Sequence, residues 1–117
     1  MSKPVGPYTP IVRAGEWLVV SGQVGIADGK LVSGGLEAEL RQAVANLEGL
    51  LASEGASLDD VTKTTVFLKH LATDYARMNE VYIECFGDHR PARSAIGVAE
   101  LPIGALVEVE AWAWLGA

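Results

Sequence analysis

Leu106-Val107-Glu108-Val109-Glu110-Ala111-Trp112-Ala113-Trp114 closes a 117-residue chain with a strict alternation. Val107, Val109, Ala111 and Ala113 share one parity and are all apolar, while Glu108, Glu110, Trp112 and Trp114 share the other. A period of two predicts a β-strand with one face in a core and the other chemically mixed. That second face needs a cover that tolerates both indole and carboxylate.

Working outward, Ser94 to Ala99 reads as another strand, joined to the first through Leu101-Pro102-Ile103-Gly104, a turn-like connection. If that connection is a tight hairpin, Arg93 falls opposite Trp112, roughly 13 Å along the strand from Glu108. A bulge, a bridging substrate and water, or completion of the site across subunits would each close the gap. Further upstream, Val61 to Leu68 is β-branched and apolar on both parities, which predicts a strand central in the sheet. Between these strands, Tyr75, Met78, Tyr82 and Phe86 form one helical stripe, with Thr73 as a predicted cap and Gly87 as the end. A first helix follows from Leu36, Leu40, Ala43, Val44, Leu47, Leu50 and Leu51 between 36 and 52, with Gly55 placed to end it. Trp17 to Ser21 reads as a strand, and Asp28-Gly29 as a turn leading to Leu31-Val32, together a hairpin.

Two helices alternating with strands predict a single α+β domain over 1–117, with both helices on one face of a mixed sheet. No third helix is available for the other face. Its simplest cover is the same face of a neighbouring subunit, so an oligomer is expected.

Nine Lys and Arg against fifteen Asp and Glu give a net charge of −6, and no basic run offsets it, so nucleic acid is an unfavourable partner. Cys85, the only cysteine, cannot form an internal disulfide, and Met1-Ser2-Lys3-Pro4 lacks the apolar core of a secretory signal. No apolar stretch is long enough to span a bilayer, and a cytoplasmic protein is expected. His70 and His89 lie far apart without acid partners, so neither a metal site nor a Ser-His-Asp arrangement is indicated. Gly22, Gly25, Gly29, Gly34 and Gly35 match no nucleotide-binding pattern and read as turns.

Two residues stand out as chemistry. Arg93 follows Pro91 at a loop-to-strand junction, where a planar fork can grip a carboxylate bidentately; the competing reading is a surface arginine among acidic neighbours. Glu108 sits on the mixed strand face, where partial burial would raise its pKa toward that of a general base or acid. Glu110 reads as solvent-facing, and Arg90 as solvated. Gly22, between Ser21 and Gln23, lets a ligand approach the backbone.

Gly6-Pro7-Tyr8, Ser21-Gly22-Gln23, Lys63-Thr64-Thr65-Val66-Phe67, Asn79 in the second helix and Pro91-Ala92-Arg93-Ser94 occur in that order along nearly the whole chain. In this series the sequence resembles the RidA/YjgF family of enamine and imine deaminases. The resemblance implies a chorismate-mutase-like fold, a homotrimer, and clefts between subunits that bind small 2-imino or 2-oxo acids without a cofactor. It further implies that Arg93 holds the substrate carboxylate and Glu108 activates water, with Tyr8, Ser21, Gly22, Asn79 and Ala95 around the same pocket. The reaction would be hydrolysis of 2-iminobutanoate- or 2-iminopropanoate-type intermediates to 2-oxo acids and ammonia; the alternative is a noncatalytic 2-oxo-acid binding module. Many members carry cysteine where this chain has Ala95, so no thiol chemistry is carried over.

Overall fold

The structure is a computed structural model that describes residue 4 and residues 6–116. Met1-Ser2-Lys3, on which the absence of a secretory core was argued, lie outside the described residues. Among the described residues, seven strands and two α-helices follow one another as β1 (Ile11–Ala14), β2 (Trp17–Gln23), β3 (Ile26–Ala27), β4 (Lys30–Leu31), α1 (Gly35–Ser53), β5 (Val61–Leu68), α2 (Leu71–Phe86), β6 (Ala92–Gly97) and β7 (Val107–Trp114). The main sheet has the order β1-β2-β7-β5-β6; β5 and β6 run parallel and the other pairs antiparallel. This is the mixed sheet of an α+β fold, with both helices on one face.

The alternating run that ends the chain is the central strand. Val107, Val109, Ala111 and Ala113 are all fully buried beneath the helices, packed with Leu40, Leu47 and Leu51 of α1 and Met78 and Val81 of α2. Thr64 lies on the same face and satisfies its buried hydroxyl with Tyr82 Oη at 2.7 Å. A hydroxyl in such a core needs that partner, because stripping its hydration without one costs several kcal/mol.

Four expectations are corrected. The strands β6 and β7 do not form a hairpin: β5 lies between them, so the connection through Pro102 leads from the edge strand β6 past β5 to β7. Consequently β7, not β5, is central, and β5 is covered by helices on one face only. The second helix begins at Leu71 with His70 as its N-cap; Thr73 sits inside the first turn and donates to the His70 carbonyl at 3.3 Å. Finally, Asp28-Gly29 turns β3 into β4 as a separate small hairpin, while β2 pairs with β1, a strand the sequence reading missed. The φ of 54° at Asp28 and 78° at Gly29 suits the short polar residue and the glycine found there.

Gly87, with φ 64°, ends α2 where expected, and α1 closes at Ser53, with Gly55 two residues on at φ 77°. The face of the sheet away from the helices carries Val12, Ile96, Trp112 and Trp114, each between 41% and 48% exposed. Among the described residues, no helix is long and apolar enough to cross a membrane.

Candidate active site

Register decides where the two leading residues stand. Arg93 pairs with Thr64, and Thr64 with Ala111, so Arg93 shares the helix-covered face. Glu108 pairs with Phe67 and has the opposite parity to Ala111, so it lies on the uncovered face. Within one chain the fork and the carboxylate therefore point to opposite sides of the sheet. The difficulty foreseen as a matter of distance along a hairpin is in fact one of faces.

The Glu108 side is a pocket lined by Tyr8, Pro10, Gly22, Gln23, Val24, Ile26, Asn46 and Pro102. Gly22 is glycine for a local reason: a Cβ there would lie 2.5 Å from Glu108 Oε2. The carboxylate thus packs directly on backbone. Burial, and then the charge of neighbouring Glu110, push the Glu108 carboxyl above the ordinary carboxylate range. Ser21 donates its hydroxyl to the Thr9 carbonyl at 2.8 Å and its amide to Pro10 at 2.8 Å, tying down the segment that presents Tyr8. Pro102 begins a single 3-10 turn in which Ile103 takes φ 53°, a conformation a β-branched side chain resists.

The Arg93 side is built differently. Its guanidinium donates to Tyr75 Oη at 3.3 Å and reaches Met78 Sδ at 3.7 Å, and its Cζ stands 4.9 Å from the Tyr82 ring centroid and 5.8 Å from that of Tyr75. Among the described residues it has no carboxylate partner, whereas Arg13, Arg41 and Arg77 are all paired with glutamates. Aromatic faces and a thioether hold the cation without neutralising it, leaving donors of the fork for an incoming anion. Two grooves flank it, one lined by Leu71, Ala72, Tyr75 and Ala95, the other by Asn79, Tyr82, Ile83, Arg90 and Pro91. Asn79 Oδ1 is buried and accepts no hydrogen bond from the described residues, so its lone pairs are open to a donor on a ligand. Arg90 is exposed and donates to the carbonyls of Gly87 and His89.

Six of the seven residues singled out thus divide into two groups: Tyr8, Gly22 and Glu108 in one pocket, and Asn79, Arg93 and Ala95 along the other side. Ser21 supports the first group from behind. Sequence reasoning missed that Tyr75, Met78 and Tyr82 would face an arginine; their helical stripe marked them only as core. Among the described residues no three His, Cys, Asp or Glu side chains converge as a metal site would need.

The chain is 44% identical over 114 residues to a RutC family protein of Pyrococcus horikoshii, spanning 96% of this chain and 90% of that one. It is 40% identical over 114 residues to the human 2-iminobutanoate/2-iminopropanoate deaminase, covering 96% and 82% respectively. The crystal structure of Escherichia coli TdcF with bound serine superposes with a TM-score of 0.90 at 32% identity, over 97% of this chain and 91% of that one. With the endoribonuclease L-PSP profile matching residues 1–115 and relatives of this closeness, the chain belongs to that family, the RidA/YjgF family of the sequence reading.

Proposed function

We propose that this protein is an imine deaminase that hydrolyses small 2-imino acids to 2-oxo acids and ammonia, in clefts where two copies of the chain meet. The observation that carries the proposal is the pair of half-sites: an arginine without a counter-ion among the described residues and a half-buried carboxyl, on opposite faces of one sheet. A second copy seated on the uncovered apolar face would bring its Arg93 side against the Glu108 pocket of the first. A homotrimer is the closed assembly we favour, and a cytoplasmic setting belongs to the same proposal.

In the assembled cleft Arg93 grips the substrate carboxylate through its fork, and Asn79 accepts a hydrogen bond from the ligand. Glu108, as carboxylate, takes a proton from water as its oxygen attacks the C=N carbon. The C=N electron pair goes to nitrogen, which takes that proton back from Glu108 to give the carbinolamine; Glu108 then relays the hydroxyl proton to nitrogen as the C=O bond forms and the C–N bond breaks, leaving ammonia and the 2-oxo acid. Orientation plus one proton-transfer group suffices for an electrophile that already reacts with water. The deaminase name of the human relative and the serine bound to the E. coli relative support a small amino-acid-derived ligand. A ribonuclease role is less supported, since the net charge is −6 and Arg13, Arg41 and Arg77 are held by glutamates.

The test couples an amino-acid oxidase or a dehydratase to 2-oxo acid release. Acceleration over spontaneous hydrolysis is expected. Binding of 2-oxo acid without acceleration for any small imino acid would leave a noncatalytic binding module instead.

A further inference from the structure

Helix α1 carries none of the residues assigned above to the reaction, yet it ties down both walls of the Glu108 pocket. The strand ladder cannot do this alone: β2 and β7 pair regularly through Val20 and Ala111, then slip before Gln23 meets Val109. Gly22, on which Glu108 packs, sits in that interruption. Its position must be set from elsewhere.

Asn46 supplies one restraint. Its Nδ2 donates to the carbonyls of Val24 at 3.1 Å and Ile26 at 3.0 Å, and its Oδ1 accepts from Gln42 at 2.9 Å. Both N–H donors of that amide and one lone pair of its oxygen are engaged within the chain, so although the side chain lines the pocket it has no donor left for a ligand. Two turns earlier, on the same side of the helix, Glu39 Oε1 accepts the backbone N–H of Leu106 at 2.8 Å, two residues before Glu108. Between the two restraints the chain rests on α1 so closely that a Cβ at Gly25 would lie 2.7 Å from the Glu39 Cα. Glu39 is 4% exposed, an arrangement that costs desolvation and is kept despite it.

We infer that Asn46 and Glu39 are positioning residues, a two-point clamp from α1 that sets the separation of the Gly22–Ile26 and Pro102–Glu108 walls and thereby keeps Glu108 half-buried. The catalytic consequence rests on the proposed role of Glu108; the geometric one does not.

The experiment uses three neutral substitutions in the full chain, Asn46→Leu, Glu39→Leu and Glu39→Gln. The glutamine still offers an Oε1 to Leu106, so the two Glu39 variants differ in the hydrogen bond and not in charge. Asn46→Leu and Glu39→Leu should lower kcat about 10- to 100-fold with KM changed less than about 3-fold, because the carboxylate-gripping half is untouched. Glu39→Gln should keep wild-type kcat. Independently of turnover, the Glu108 carboxyl followed by carbon-13 NMR should titrate above the ordinary carboxylate range in the wild type and in Glu39→Gln, and fall back toward that range in the two leucine variants. Tyr8, which lines this pocket, and Glu110, whose charge acts on Glu108, are the same in all four proteins. An unshifted Glu108 titration in both leucine variants, or a Glu39→Gln variant as impaired as Glu39→Leu, would overturn the clamp. If the wild type turns over no imine, the NMR titration still decides it.

Discussion

The two sides of the sheet hold a charge in opposite ways. Glu108 is packed on backbone at Gly22, short of water, with Glu110 beside it, so its charged form is disfavoured. Arg93 keeps its charge and is cradled by two tyrosines and a methionine that satisfy its flat faces without offering a counter-ion. The first environment suits a group that exchanges protons; the second suits one that receives an anion. A single chain displays the two halves back to back, and each is incomplete where the other is strong.

The sharpest way to break this contrast is to remove the proton-exchanging group. Glu108→Gln should reduce kcat by roughly 10² to 10⁴ with little change in KM, since the amide fills the same space but cannot take a proton. In the wild type, kcat/KM should fall as pH drops through a Glu108 value lying above the ordinary carboxylate range, and that limb should vanish in the variant. The same raised value has a folding consequence with a definite sign. A carboxyl whose pKa is raised on folding contributes stability when protonated, and that contribution is lost as pH rises from the unfolded value through the folded one. Glu39 is raised chiefly by burial as well, so chemical denaturation of Glu39→Gln across that window should show a flatter pH dependence than the wild type.

Arg93→Ala tests the other half. It should lower kcat/KM by about 10²-fold, largely through KM, and Arg93→Lys should recover little of it because a point charge cannot reproduce the fork. The cradle is a smaller effect. Tyr82→Leu removes the ring below the guanidinium and should raise KM by roughly 5- to 10-fold, whereas Tyr82→Phe keeps the ring and should leave KM near wild type. The phenylalanine variant should instead lose about 1 to 3 kcal/mol of stability in denaturant titrations, because the buried Thr64 hydroxyl loses its partner. Smallest of all, Tyr75→Phe should raise KM only about 2- to 3-fold, the weight of one long hydrogen bond at a partly exposed site.

Much of this layout was legible in the chain itself. Alternation from Val107 to Trp114 showed which parity would be core, and the leucine spacing of α1 gave that helix to within a residue at each end, because both patterns depend only on local geometry. Strand order was not legible. Pro102-Ile103-Gly104 looks like a turn and is one, but a local signal cannot show that β5 slides between the strands it joins. The same gap hid the placement of Arg93 and Glu108 on opposite faces, since parity within β6 says nothing of its phase against β7 until β5 supplies the register. Glu39 and Asn46 escaped notice because a polar residue on an amphipathic helix usually faces solvent, and their backbone partners lie 67 and some 20 residues away. Arg93 and Glu108 were singled out as much by the ordered family motifs as by their own surroundings.

The central claim is that one working site takes its arginine from one copy and its glutamate from another. Arg93→Ala and Glu108→Gln proteins, each strongly impaired alone at substrate well below KM, can be mixed in equal amounts, unfolded together and refolded. In any closed ring assembled at random, about one quarter of the clefts join an intact Arg93 to an intact Glu108. Imine hydrolysis by the mixture should therefore recover to about a quarter of the wild-type rate per cleft. A co-refolded mixture no more active than its separate parents, with mixed assemblies verified by native mass spectrometry, would contradict the account.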